Sequence, residues 1–176
     1  MSTESRKEKI ERYGNAYDLL AAFLPTLPRE MWLYKPAPDR WSVHEILIHI
    51  TDSEANSYIR CRRFIAEPGS SVMAYDENLW ATGLNYHERS IDEALELFRH
   101  LRGSSYNLIR TLPESVWSNT IEHPENGTMT FDDWLDTYER HVPIHIAQME
   151  RNLKAWEEAG NPKEDHHQEW GRLAGS

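Results

Sequence analysis

Three capping boxes, each at the start of a long amphipathic stretch, constrain the fold of this chain most strongly. In a capping box, a Ser or Thr oxygen and an acidic side chain three residues later satisfy free backbone donors in the first turn of a helix. The boxes are "SVHE" from Ser42, "SIDE" from Ser90 and "TFDD" from Thr130. They predict helices that extend to about Ala66, Thr111 and Ala159.

A fourth helix is predicted near the N-terminus, because apolar residues recur there at helical spacing from about Thr3 to Leu24. Four long helices in 176 residues predict an all-α domain, a four-helix bundle with long connections between helices. We place this single domain at residues 1–160 and expect residues 161–176, which lack periodicity, to be a mobile tail. The long second connection can hold a short helix at about Tyr75 to Ala81, and Asn126-Gly127 is a turn signal for a short hairpin or an irregular excursion.

Composition narrows the class of protein. The one cysteine, Cys61, rules out an internal disulfide framework and suits a reducing compartment. The polar start "MSTESRKEKIERYG" does not resemble an export signal, and no apolar run reaches membrane-spanning length, so we expect a cytoplasmic protein without membrane contact. A net charge of -10 argues against binding to nucleic acid.

The stretch "ERHVPIHIAQMER" places His141 and His145 four residues apart. Four residues correspond to about 400° of helical rotation, so both side chains leave one face and can share an ion. About half of one such pair is expected by chance, so spacing alone favours the interpretation that these are two polar helix residues. Pro143, between them, removes a helical hydrogen bond and is expected to bend the helix.

His49 is the best candidate for a third ligand, because a polar stripe follows it on one face of the second predicted helix. The stripe consists of Asp52, Ser53, Asn56 and Arg60. A solvated face is one interpretation, although such faces usually alternate Lys and Glu. The mixture found here is more typical of a lined cavity.

Other sites are not supported by the spacing. "HEILIH" is one residue too long for the zinc-protease pattern, so His44 and His49 cannot face one ion from a regular helix. No E-x-x-H pattern of a di-iron bundle occurs on the predicted helices, since "EDHH" from Glu164 lies in the tail that lacks periodicity. Cys61 lies in a helix body and is expected to belong to the core.

Taken in order, "HITDSEANSYIR", "AYDENLW" and "HVPIHIAQM" resemble the DinB/YfiT-like superfamily, and specifically its YfiT-like branch. The resemblance extends from about Trp41 to about Leu153. It implies a four-helix bundle, often a homodimer, in which His49, His141 and His145 bind a divalent ion, commonly zinc or nickel. It also implies either thiol-dependent S-transfer, with bacillithiol, mycothiol or glutathione as co-substrate, or metal-dependent hydrolysis. Pro143 departs from the pattern, since members of the branch can carry another histidine there.

Three histidines with an open position form the ligand set of a catalytic metal site acting on small molecules. Asp52 could accept a proton, orient a ligand imidazole or merely pair with Arg60. Substrate-pocket residues are expected in the polar stripe and in the long connection: Ser53, Asn56, Arg60, Tyr75, Asp76, Glu77 and Trp80. For Tyr75 and Trp80, a role as an aromatic anchor of the loop is an equal alternative. We favour S-transfer over hydrolysis, and a bundle that binds metal or ligand without turnover is the alternative from another class.

Overall fold

The structure of the protein is a computed structural model, and it describes residues 5–161. Six α-helices and one antiparallel pair of strands make up the architecture. In chain order they are α1 (Arg6–Gly14), α2 (Ala16–Phe23), α3 (Val43–Ala66), α4 (Glu77–Gly83), α5 (Ile91–Ile109), β1 (Thr120–His123), β2 (Gly127–Thr130) and α6 (Phe131–Glu158). The predicted mobile tail lies outside the described residues, and the domain boundary at 160 stays a prediction.

The three capping-box helices begin where the sequence predicts. Ser42, Ser90 and Thr130 are the N-caps of α3, α5 and α6, and each side-chain oxygen accepts a hydrogen bond from the backbone N–H three residues later. The reciprocal bond from the acidic side chain is present at Ser42 and Thr130. Local hydrogen bonding therefore fixes these starts, as expected for capping boxes.

The first predicted helix is divided into two, which corrects the expectation of one continuous helix to Leu24. Asn15 leaves the helical region with ψ near 1°, so α1 ends at Gly14 and α2 starts at Ala16. A Cβ on Gly14 would lie 2.5 Å from the ring of Tyr106 in α5. Glycine thus permits a close approach of α1 to α5, a packing requirement that helical periodicity does not reveal.

Four helical segments form the bundle, with α1 and α2 acting as one. Each of these segments packs against two others. Helix α3 contacts α5 and α6, and α1 contacts the same two helices. The short helix α4 lies in the connection after α3, two residues later than predicted. The all-α four-helix bundle is confirmed, with the small hairpin β1–β2 as an addition to it.

The hairpin joins α5 to α6 and confirms the turn at Asn126-Gly127. Its strands pair from Thr120 with Thr130 to His123 with Gly127, and Gly127 has a positive φ of 70° that suits glycine. The connection after α3 lies along β1, since Gly69 N–H donates to Thr120 O. The long connection and the hairpin are therefore one hydrogen-bonded unit at one side of the bundle.

Two apolar clusters form the core, and a buried polar layer separates them along the helices. One cluster holds the start of α3 and the second half of α6, whereas the other holds the end of α3, α1 and the start of α6. Cys61 belongs to the second cluster, where burial raises the pKa of its thiol to about 12, so its predicted core position is confirmed. Within residues 5–161, none of the helices combines the length and apolar character of a membrane span.

The polar layer is centred on Arg102, which is fully buried on α5. Its Nη2 donates to Glu54 Oε2 at 2.6 Å, and its Nη1 donates to the backbone oxygen of Tyr13 at 3.0 Å. Glu54 Oε1 accepts a further bond from the Tyr13 hydroxyl at 2.8 Å. Sequence patterns do not predict this ion pair, because its partners are 48 residues apart.

We expect Arg102→Met to lower the free energy of unfolding by about 3–5 kcal/mol, because it leaves the Glu54 carboxylate buried without its cation. The exposed Arg99→Met on the same helix is the control, with an expected change within about 0.5 kcal/mol. Denaturant unfolding monitored by circular dichroism measures both. A decrease in the free energy of unfolding below about 1 kcal/mol for Arg102→Met would contradict a tightly coupled pair. The double variant Glu54→Gln/Arg102→Met gives a second test. If its decrease equals the sum of the decreases in the two single variants, the two residues are not coupled.

Candidate metal centre

Three histidines from two helices converge beside the buried polar layer. His49 lies on α3, whereas His141 and His145 lie one turn apart on α6. One ring nitrogen of each lies within 4.8 Å of one nitrogen of both others, and no other group of three potential metal ligands meets this condition within residues 5–161. The packing of α3 against α6 therefore brings together residues that are more than ninety positions apart in the chain.

The distance between His141 Nε2 and His145 Nε2 is 3.2 Å. Two nitrogens that each lie about 2.0–2.1 Å from one zinc ion in tetrahedral geometry are separated by about 3.3 Å. The observed separation thus suits a shared ion. The helix continues through Pro143 from Phe131 to Glu158, and the proline does not prevent this approach.

The tautomer of His145 also suits metal binding. Its Nδ1 lies 2.9 Å from Oε1 of Gln148, an amide oxygen that only accepts, so Nδ1 carries the proton and the lone pair lies on Nε2, the atom that faces His141. Gln148 was not among the residues singled out from the sequence. Its position three residues after His145 on the same helix could have indicated it.

Burial keeps the three imidazoles uncharged. His49 is 1% exposed and His145 is 9% exposed. Desolvation lowers the pKa of His49 to about 3, and it lowers the pKa of His141 well below its ordinary value. The pKa of His145 is lowered by desolvation as well. Neutral imidazoles with free lone pairs are the form that binds a cation.

Two buried ring nitrogens of this cluster, Nδ1 of His49 and Nδ1 of His141, have no hydrogen-bond partner among residues 5–161. Burying a polar atom without a partner is unfavourable, and such atoms call for an explanation. Trp41 packs against His49 with ring centroids 4.7 Å apart and covers it on one side. The three-histidine cluster therefore has the donor set and the spacing of a site that fits a divalent ion.

A polar pocket of about 190 Å³ opens beside the cluster, and His141 forms part of its wall. Four of the predicted pocket residues also line it: Ser53, Arg60, Tyr75 and Glu77. Residues of the hairpin and of α6 that the sequence did not indicate line it as well: His123, Glu125, Asn126, Thr137 and Tyr138. The hairpin residues were missed because nothing in the sequence near His123 indicates that it faces a residue of α6.

The other predicted pocket residues do not line this pocket. Asn56 donates to the backbone oxygen of Asp52 in its own helix, and Asp76 is the N-cap of α4. Trp80 packs against Tyr75 with tilted rings whose centroids are 4.4 Å apart, which agrees with the anchoring alternative. Of the polar stripe after His49, Ser53 and Arg60 therefore line the pocket, whereas Asn56 does not.

Asp52 faces a different surface from the three-histidine pocket. Its Oδ2 accepts a hydrogen bond of 2.6 Å from the hydroxyl of Tyr86, and it lines a groove between α3 and α5 together with Thr51 and Ala94. The predicted pair with Arg60 is not formed, since Arg60 donates to the Tyr138 hydroxyl and to the backbone oxygen of Met73.

Two relatives found by sequence comparison share one name. A protein of Oceanobacillus iheyensis named "Putative metal-dependent hydrolase" is 30% identical over 109 residues, 62% of this chain and 63% of that protein. "Putative metal-dependent hydrolase YfiT" of Bacillus subtilis is 29% identical over 110 residues, 62% of either chain. The matched part thus spans just under two thirds of the length of these relatives.

Two solved structures share the fold. The structure of YfiT from Bacillus subtilis, described as a probable metal-dependent hydrolase with an unusual four-helix bundle topology, superposes with a TM-score of 0.78 at 22% identity and covers 92% of this chain and 93% of its own. A mycothiol-dependent maleylpyruvate isomerase superposes with a TM-score of 0.68 at 13% identity, covering 85% of this chain and 63% of its own. These likenesses support the bundle architecture.

The sequence model of the DinB superfamily matches residues 12–149, which include all three histidines. The match covers well over half of the chain, and the relatives and the fold agree with it. The protein therefore belongs to the DinB superfamily, with YfiT-like relatives.

Proposed function

We propose that this protein is a metal-dependent enzyme of small-molecule chemistry, with His49, His141 and His145 as the protein ligands of a zinc or nickel ion. The observation that carries the proposal is the convergence of three uncharged imidazoles, of which two are buried and that of His141 is half-buried. Three neutral ligands leave a coordination position open, as in catalytic sites rather than in closed structural ones. When bound there, a divalent ion lowers the pKa of water or of a thiol.

The residues around the cluster have supporting roles in this proposal. Gln148 fixes the tautomer of His145, and Trp41 keeps water away from His49. Ser53, Arg60 and Tyr75 line the adjoining pocket and orient the substrate. A proton-accepting role for Asp52 stays a prediction, as does assembly into a homodimer. Tyr86 donates to this carboxylate, which is one turn from His49 on α3.

Thiol S-transfer is the reaction we favour, with a low-molecular-weight thiol as co-substrate. In this reaction the thiolate sulfur bonds to an electrophilic carbon while the leaving group departs with its electron pair, and the thiol proton passes to a base or to water. The mycothiol dependence of the superposed maleylpyruvate isomerase supports this choice. Metal-dependent hydrolysis is the second candidate, because the curated relatives carry that name.

The metal site is tested by metal analysis of protein loaded with zinc or nickel. We expect about one ion per chain, and we expect His49→Ala, His141→Ala and His145→Ala each to weaken metal binding by at least about 100-fold, since each removes a ligand. His44→Ala is the matched control, because His44 lies on the same helix and instead contacts the backbone oxygen of Arg89.

Gln148→Leu gives an intermediate result in the same measurement. It leaves the ligands in place but removes the acceptor for Nδ1 of His145, so we expect metal affinity to fall by about 10-fold. One ion per chain that survives His49→Ala at undiminished affinity would contradict a site built from the three histidines.

The stability of the metal-free protein should depend on pH through His49. Burial holds the pKa of His49 at about 3, whereas its ordinary value is 6.5. Below 6.5 the unfolded chain therefore takes up a proton that the folded chain does not, and protonation favours unfolding. We expect the free energy of unfolding to fall between pH 6.5 and about 3, and to fall less steeply in His49→Phe.

Urea denaturation across this pH range, with a chelator present, measures the difference between the two proteins. Carboxylates titrate in both and cancel in the comparison. Parallel pH curves for the two proteins would contradict a buried, uncharged His49.

The reaction is tested with monochlorobimane as electrophile and with glutathione, bacillithiol and mycothiol in turn. We expect the metal-loaded protein to form the fluorescent conjugate with at least one thiol, at a rate at least about 10-fold above the metal-free protein, because metal coordination increases the thiolate fraction. The control is the metal-loaded His44→Ala variant. Full metal loading without turnover of any thiol would argue against S-transfer and favour hydrolysis or binding without turnover.

A further inference from the structure

The pocket beside the three histidines has a floor of hydrogen-bond donors and a rim of carboxylates. Ser53, Tyr138 and His123 are buried in its wall, with exposed fractions of 6%, 5% and 7%. Glu77 and Glu125 also line the pocket, but both are exposed residues at its mouth. A small molecule that reaches the histidines from this side would therefore meet donors rather than acidic groups at the floor.

His123 carries a donor in a fixed position. Its Nδ1 accepts hydrogen bonds from the backbone N–H groups of Glu125 and Asn126 at 3.2 and 3.3 Å, so the ring proton lies on Nε2. Desolvation and the nearby charge of Arg60 lower the pKa of His123 and keep the ring neutral. In the part of the chain that the structure describes, no group accepts a hydrogen bond from Nε2. The hairpin turn therefore presents an N–H donor that has no protein acceptor within residues 5–161.

Arg60 brings a positive charge to the same wall. Its guanidinium donates to two neutral acceptors, the Tyr138 hydroxyl at 3.1 Å and the backbone oxygen of Met73 at 2.8 Å. Within residues 5–161 it forms no ion pair with a carboxylate, in contrast to Arg63, one turn later, which lies 3.5 Å from Glu67. A guanidinium has five N–H donors, so several remain for a ligand.

We propose that Arg60 and the Nε2–H of His123 form a subsite for a carboxylate group of the small molecule that reacts at the three histidines. This inference rests on the proposed metal-dependent function. It adds that the substrate or the thiol carries a negatively charged carboxylate. A carboxylate accepts bonds from both donors, and hydrogen bonds between charged partners are the stronger kind. Glu77 and Glu125 at the mouth disfavour ligands with several negative charges, so a single carboxylate fits the pocket best.

The test uses protein loaded with Co(II), whose absorption spectrum changes when a sulfur ligand binds, so no turnover is needed. Three small thiols differ in charge: 3-mercaptopropionate carries a carboxylate, 2-mercaptoethanol is neutral and cysteamine carries an amine. Each thiol is titrated into the original protein and into the variants Arg60→Gln and His123→Asn. Because each thiol is compared with itself across variants, its intrinsic acidity cancels.

The variants are chosen to separate binding from folding. The amide oxygen of Asn can still accept from the turn, whereas the Nε2 donor of His123 is lost. Arg63→Gln is the matched control for Arg60→Gln, because Arg63 donates to the backbone oxygen of Ser71 in the same connection but does not line the pocket. Thermal unfolding of every variant checks that the hairpin and the connection remain folded.

We expect both Arg60→Gln and His123→Asn to weaken binding of 3-mercaptopropionate by about 10-fold, and to change binding of 2-mercaptoethanol by less than about 2-fold. Arg63→Gln should change neither. Equal effects on both thiols, or no effect on either, would overturn the carboxylate subsite. Higher affinity for cysteamine in the original protein than in both variants would overturn it as well. Failure to load Co(II) would instead refute the proposed metal site.

Discussion

Arg102 contacts all four helical segments of the bundle from a fully buried position. It pairs with Glu54 on α3, donates to the backbone oxygens of Tyr13 on α1 and Tyr138 on α6, and is itself part of α5. An ion pair without access to water is favourable only while both partners keep their geometry, so it tolerates little sliding of the helices. Glu54 lies five residues after His49 and Tyr138 lies three before His141. The network thereby fixes the register of the two helices that carry the three histidines.

The three histidines lie close to this polar layer, and their chemistry follows from that position. The apolar clusters on either side exclude water, which lowers the pKa values of the imidazoles and keeps them neutral. The same desolvation raises the pKa of the Cys61 thiol, so the one cysteine remains protonated and packs as an apolar residue. Burial thus favours the form of histidine that binds metal and disfavours the form of cysteine that would compete with it.

The hairpin and the long connection complete the pocket from outside the bundle. Val72 N–H donates to Glu122 O, and Glu122 N–H donates to Ser70 O, so the connection extends the hairpin by a third segment. Arg60 and Arg63 on α3 hold the same connection through backbone oxygens of Met73 and Ser71. Hydrogen bonds to the hairpin and to α3 thus hold the loop residues around the proposed site in place. A rigid bundle can in this way present specific polar groups on its connections.

Sequence alone determined the features that depend on neighbours in the chain. Helix starts at Ser42, Ser90 and Thr130 follow from capping bonds over three residues, and the turn at Asn126-Gly127 follows from the positive φ of glycine. The common face of His141 and His145 follows from helical rotation. Tertiary structure alone decided the division of the first helix, the Glu54–Arg102 pair, the partner of Asp52 and the place of His123 in the pocket wall. These depend on which helix surfaces meet, and contacts between residues distant in the chain leave no local pattern from which they could be predicted.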